Sequence, residues 1–383
     1  MSILCNVCAT TISNPVFCPP GHTSLSSLGE IIQGKAEVYF CDNCGHLQTK
    51  EIQNIDDYYD KQYKILIDSE DEDQLYKIEE DRKIYRYDFQ AETVLSKLNI
   101  SQNANLLEYG AAKGATIRRV LDSRKDLSGY VFDVSEMYIP FWDDFILKSN
   151  QAKYTTPTEW IGSMDYVISF YVLEHVASLD QVMQDIWNLL KPSGKLYFIV
   201  PNTYENIADF VVADHINHFS TQSITRLMSK FGFSDVSIDN MTHDSAFIVT
   251  GTKSQLKPDI TLSEDILTLK NEAEKIAQFW QNIVEKINRF ELRQESSRSA
   301  IYGAGFYGTF IFSHMEVPSN VSCFIDQNRH LQGKSVMGIP ILAPEDMPLD
   351  IDTLYVGLNP KYAKKIISGV QVIADKKLKT LFL

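Results

Sequence analysis

The sequence predicts an α/β protein with two parallel sheets behind a cysteine-rich start, and three observations lead there. From residue 105 onward, short apolar runs alternate with amphipathic helical stretches. Such near-continuous apolar strands belong to a parallel sheet covered on both faces. Second, an acidic residue follows a glycine turn by 23 positions twice, Asp133 after Gly110 and Asp326 after Gly303. That is the spacing at which a βαβ unit brings a carboxylate to a ribose hydroxyl, so two Rossmann-like units are expected, the second smaller. Third, five of the six cysteines lie within the first 44 residues.

Taken in order, residues 1–56 are rich in Cys, Pro and Gly and too poor in apolar residues for a core of their own. A polar, acidic, Tyr-rich stretch then leads into a helical pattern, YRYDFQAETVLSKL, with apolar Phe89, Val94, Leu95 and Leu98. NLLEYG reads as a strand and turn, ATIRRVL as a helix, GYVFDVS and MDYVISFYVL as strands, and LDQVMQDIWNLL as an amphipathic helix. KPSG is a turn signal ahead of the buried strand KLYFIVP. Residues 259–296 contain few turn residues and predict a long helix, with Phe279, Trp280 and Phe290 as packing residues. The expected division is 1–56, 57–255, a helical linker at 256–298, and 299–383.

The 383 residues carry a formal charge of −14, with no basic block. Phosphate-led binding of nucleic acid or of an anionic membrane is not expected from such a chain. No apolar run approaches the roughly 20 residues of a membrane span. The first residues lack the charged start and apolar stretch of a signal peptide, so a cytoplasmic location is expected. In a reducing compartment crowded cysteines point to metal rather than disulfides.

Cys5-x-x-Cys8 and Cys41-x-x-Cys44 are two knuckles able to close a tetrahedron around one zinc ion. Four thiolates leave no open position, which makes the site structural; Cys18 and His46 are the alternative ligands. Glu108-Tyr109-Gly110-Ala111-Ala112-Lys113-Gly114 follows a strand and opens a helix, so backbone amides can approach a ligand. Asp133 and Val134 end the next strand, and Phe170-Tyr171-Val-Leu-Glu174-His175 ends the one after. Downstream, Asp214-His215 and His218 follow KLYFIVP on the side where parallel sheets bind ligands. A neutral imidazole there can take a proton, with a carboxylate holding its tautomer.

Together these motifs resemble the class I methyltransferases that use S-adenosylmethionine, over roughly residues 85–250. That family reads E-x-G-x-G-x-G, an acidic strand end, L-E-H and L-K-P-G-G; here Ala112 stands at the middle glycine. The resemblance implies S-adenosylmethionine as cofactor, with Glu108, Tyr109, Gly110, Ala111, Gly114, Asp133, Val134, Phe170, Tyr171 and Glu174 at its site. With Cys41-x-x-Cys44-Gly-His46-Leu-Gln48 before it and Gly303-x-Gly305-x-x-Gly308, Phe324-Ile-Asp326 and Pro340…Pro344-Glu345 after it, the whole chain resembles nucleotide-sugar C-methyltransferases. That likeness implies a small-molecule acceptor, a nucleotide-linked sugar, with His215 as general base and Asp214 its partner. Val212 and His218 stand where the family has tyrosines, and Tyr63 matches a further family tyrosine loosely. Methylation at carbon, oxygen or nitrogen stays open. Two other readings compete: a binding protein on the same fold, and an NAD-dependent sugar oxidoreductase suggested by Gly303, Gly305, Gly308 and Asp326.

Overall fold

The computed structural model describes residues 2–19, 23–51, 72–80, 82–243, 245–254, 265–294 and 298–383. Tyr59 and Tyr63 lie outside them. Two compact units are present: Met1–Phe17 with Glu37–Asp209 and Asp214–Ala273, and Cys18–Ala36 with Phe210–Ala213 and Glu274–Leu383. Among the described residues, no helix is long and apolar enough to cross a membrane.

The first unit is built on a seven-stranded sheet. Its strands are β1 (Asn105–Tyr109), β2 (Ser128–Asp133), β3 (Gln151–Lys153), β4 (Met164–Phe170), β5 (Leu190–Pro201), β6 (Phe233–Asp239) and β7 (Ala246–Lys253), in the order β3-β2-β1-β4-β5-β7-β6. β1 to β5 pair in parallel, while β7 runs antiparallel to β5 and β6. Helices α1 (Arg86–Lys97), α2 (Ala115–Ser123) and α3 (Leu179–Leu189) occur where the apolar periodicity places helices, and α4 (Thr221–Lys230) is a helix the sequence reading did not place. Two apolar clusters contain the sheet's buried side chains, one holding Leu107, Val167 and Phe198, the other Leu106, Ile168 and Tyr197. Successive residues of each strand thus divide between the two clusters, as a pleat requires. The KPSG turn signal is realised differently from expectation. β5 runs through it, and the turn residues become a bulge in which Ser193 takes φ 62° and the register against β4 shifts between Met164 and Tyr166.

The same unit holds the cysteine-rich segment. Pro15–Phe17, Val38–Phe40 and Leu47–Thr49 form a small antiparallel sheet, whose fourth strand, Asn217–His218, comes from the loop after β5. A segment that cannot build its own core is therefore tied into the larger domain by hydrogen bonds of Leu47–Thr49 to that loop.

The second unit carries strands β8 (Ser299–Tyr302), β9 (Val321–Ile325), β10 (Ile339–Leu342), β11 (Thr353–Val356) and β12 (Lys379–Phe382), in the parallel order β10-β9-β8-β11-β12. The predicted long helix is α5 (Ile266–Glu291), and its Trp280 packs on Tyr307 and Phe310 of α6 (Phe306–Ser313). Gly308 lets α6 approach β8 closely, since a Cβ there would sit 1.9 Å from the Gly303 carbonyl oxygen. Gly308→Ala is expected to destabilise this unit by about 1–3 kcal/mol through forced displacement of the helix. Hydrogen exchange of the Ser299–Tyr302 amides measures it, and unchanged protection would contradict it.

Candidate active site

The order β3-β2-β1-β4 reverses direction between β1 and β4, and parallel sheets bind ligands outside the carboxyl ends of strands at such a switch point. Gly110 and Tyr171 follow those two strand ends. Gly110 takes φ 75°, and a Cβ would come 2.3 Å from Val172 Cγ2, so glycine is what lets the two strand ends meet. Ala112 is also left-handed, at φ 46°, where the middle glycine of the resembled motif would be relaxed. Gly114, at φ 69°, caps the start of α2.

Asp133 is buried at the end of β2. Its carboxylate accepts from the Ala112 N–H (2.8 Å) and the Ser135 N–H (3.0 Å), joining the glycine turn to the acidic strand end. Burial pushes its pKa up to about 6. Glu108 has a bracing role: its carboxylate accepts from the Ile117 N–H at 3.0 Å inside the fold, and burial pushes it up to about 8. The Tyr109 hydroxyl donates to Asp185 (3.1 Å) and its carbonyl accepts from the Ser169 hydroxyl (2.9 Å). Val134 is exposed beside Asp133, Phe170 is buried at the end of β4, and Tyr171, at φ 55°, meets His243 Nε2 through its hydroxyl at 2.9 Å. Strained backbone of this kind collects at functional sites.

The loop after β5 carries the imidazoles. His215 Nδ1–H donates to Asp209 Oδ1 at 2.5 Å, and His218 Nδ1–H donates to Asp209 Oδ2 at 2.8 Å. Thr203 donates its hydroxyl to the same carboxylate. The pairing expected from adjacency is therefore corrected: His215 is held by Asp209, not by its neighbour Asp214. Asp214 turns towards His175, whose Nδ1–H donates to the Asp214 carbonyl (3.0 Å) and lies 3.6 Å from its carboxylate. The sequence signal for Asp209 was a second acid six residues before His215 in the same loop. Burial would raise Asp209, but the two imidazoles beside it outweigh burial and hold its carboxyl well below the usual range. Burial lowers His215, and the Asp209 charge and hydrogen bond overcome that to push it up to about 9. His175, buried and beside His215, falls to about 4. His218 meets Thr49 Oγ1 through Nε2 (2.7 Å), so a residue of the cysteine-rich segment stands directly behind the Asp209 cluster.

The chain matches the family described as a methyltransferase domain over residues 82–238, the span that contains strands β1 to β5, the glycine turn and the imidazole loop. Over that span the chain carries a methyltransferase domain. Solved structures similar to it include the complex of the Haloferax volcanii Trm112 methyltransferase activator with a putative methyltransferase, at 13% identity over 44% of this chain and 91% of that one, TM-score 0.37. A putative S-adenosylmethionine dependent methyltransferase from Listeria monocytogenes aligns at 12% identity, over 44% and 100% of the two chains, TM-score 0.37. Geranyl diphosphate C-methyltransferase from Streptomyces coelicolor A3(2) aligns at 10%, over 43% and 75%, TM-score 0.36. Likenesses this weak say nothing about acceptor or partner. Comparison with curated proteins finds no match.

In the methyltransferase's cysteine-rich segment, Cys5, Cys8, Cys41 and Cys44 form one cluster. Its sulfurs stand 3.6 Å (Cys5–Cys44) and 3.5 Å (Cys8–Cys41) apart. A tetrahedral ion with bonds of about 2.3 Å to sulfur needs edges of about 3.8 Å, so four thiolates fit zinc here. His46 instead donates Nε2–H to Asn217 (3.2 Å), and Cys18 is exposed.

Proposed function

We propose that the protein transfers the methyl group of S-adenosylmethionine to a sugar, in nucleotide-linked form, with His215 as general base. The observation that carries the mechanism is the Asp209–His215 pair on the loop leaving the carboxyl end of β5. The acceptor's identity is supported by the likeness of Cys41–Gln48, Gly303–Gly308 and the segment through Glu345 to nucleotide-sugar methyltransferases. On the same ground the C-terminal sheet is a second Rossmann-like domain, Cys5, Cys8, Cys41 and Cys44 hold structural zinc, and the protein works in the cytoplasm.

The cofactor, when bound, supplies an electrophilic methyl on a cationic sulfur. The turn at Gly110, Ala111 and Gly114 presents backbone to its amino-acid end, Asp133 accepts from the ribose hydroxyls, and Val134, Phe170 and Tyr171 line the rest. Asp209 keeps Nδ1 of His215 protonated and raises the ring to about 9, so Nε2 takes the acceptor's proton in the neutral fraction of His215, which grows as pH rises towards 9. His218, on the other oxygen of Asp209, holds the carboxylate in place. Incubation with S-adenosylmethionine and a panel of nucleotide sugars tests this, with mass spectrometry for the gain of one methylene mass. A panel left unmethylated by a protein that binds the cofactor would refute the sugar acceptor.

Asp133→Ala is expected to weaken cofactor affinity by at least about tenfold, because charge-assisted bonds are worth roughly 1.5–3 kcal/mol each. The parent should also bind more weakly below about pH 6, where the raised pKa returns a proton to the carboxylate that the ribose needs. Calorimetry across pH, with thermal unfolding as a control, reads both. Equal affinity at pH 5 and pH 7.5 in the parent would remove Asp133 from the ribose.

A further inference from the structure

Glu174 is 1% exposed, and among the described residues neither of its carboxylate oxygens has a hydrogen-bond partner. A buried carboxylate without partners is costly, and proteins retain such groups where a ligand completes them. Two imidazoles stand beside it: one ligand-type atom each of Glu174, His175 and His215 lies within 4.8 Å of the others. Both rings are held from behind through Nδ1, His175 by the Asp214 carbonyl at 3.0 Å and His215 by Asp209 at 2.5 Å. This is the outer-shell pattern of metal-ligating histidines, which fixes the tautomer and directs Nε2 at the ion.

We propose that Glu174, His175 and His215 form a second metal site, separate from the four thiolates, that takes a first-row divalent ion of the zinc, cobalt and iron class. Two imidazoles and one carboxylate suit these ions, whereas magnesium and calcium require oxygen ligands. Three protein ligands leave a coordination position open. Bonds of about 2.0–2.1 Å imply ligand edges of about 3.3 Å, so the cluster must contract by up to about 1.5 Å. Rotation of the Glu174 side chain supplies that movement. The His175 and His215 side chains keep 13% and 12% of their surface exposed, which gives the ion a way in.

The site has a consequence for turnover that rests on the reading of His215 as base. An ion on Nε2 occupies the nitrogen that takes the acceptor's proton, so loading inhibits the enzyme. The binding itself does not depend on that reading.

The test titrates Co²⁺ into the full-length protein carrying its structural zinc. The expected result is visible ligand-field absorption without a near-ultraviolet thiolate-to-cobalt band, displaced by added Zn²⁺ but not by Mg²⁺. Glu174→Gln, which keeps the shape of the side chain, and His175→Ala should each weaken Co²⁺ binding by at least about tenfold. Absence of the ligand-field signal at millimolar Co²⁺, or Glu174→Gln binding as the parent does, would overturn the proposal. Signal with unimpaired methyl transfer would support the metal site and sink the base assignment instead.

Discussion

His215→Ala should lower turnover by about two to four orders of magnitude while leaving S-adenosylmethionine affinity nearly unchanged, if it is the general base proposed above. The geometry ranks its neighbours. Asp209→Asn replaces a carboxylate that accepts from both His215 and His218 with an amide able to donate, so the tautomer with Nδ1 protonated loses its anchor. Its cost should approach that of His215→Ala. Asp214→Asn should cost less, because Asp214 lies against His175 and acts on His215 through its charge, whereas Asp209 holds the ring by a hydrogen bond. The readout is kcat and KM for the acceptor beside cofactor affinity by calorimetry. If Asp214→Asn slows turnover more than Asp209→Asn, the orienting role given to Asp209 is wrong.

Removing the structural metal should have the second large effect. Zinc held by thiolates in small modules contributes an apparent binding free energy of about 10–16 kcal/mol, and that energy is folding energy. Without the cation the packed sulfurs work against one another: hydrogen bonds from Cys44 and Cys5 hold the Cys41 thiol far below its usual range, while Cys41 pushes Cys5 up to about 12. Cys44→Ser, or chelation under mild denaturation, should therefore unravel the sheet of Val38–Phe40 and Leu47–Thr49. The damage should reach catalysis, because Leu47–Thr49 pairs with Asn217–His218 and Thr49 contacts His218. Metal analysis, amide exchange at Leu47–Thr49 and turnover follow the three steps. Full protection of those amides in metal-free protein would show that the segment folds without zinc.

The glycine turn was legible in the residues because it is local. A strand, a glycine turn, a helix and an acidic strand end 23 residues later lie in one continuous stretch, and backbone sterics give each a composition signal. The four cysteines were legible for a related reason, since few chemistries use two x-x spaced thiol pairs in a segment without a core. The KPSG turn was misread because a bulge within a long strand needs the same residue types as a chain reversal.

The sequence by itself determined the order β1-α2-β2-β4-α3-β5, the four cysteines that come together in one cluster and the residues that end those strands. Only the tertiary structure decided which acid serves His215. Adjacency favoured Asp214, but the loop curls so that a carboxylate six residues upstream receives both imidazoles, while Asp214 faces the histidine of another loop. It also decided that the cysteine-rich segment lends a strand's worth of hydrogen bonds to the imidazole loop, and that Glu174 is buried without a hydrogen-bond partner among the described residues. Each of these depends on contacts between segments far apart in the chain, which local periodicity and spacing do not encode.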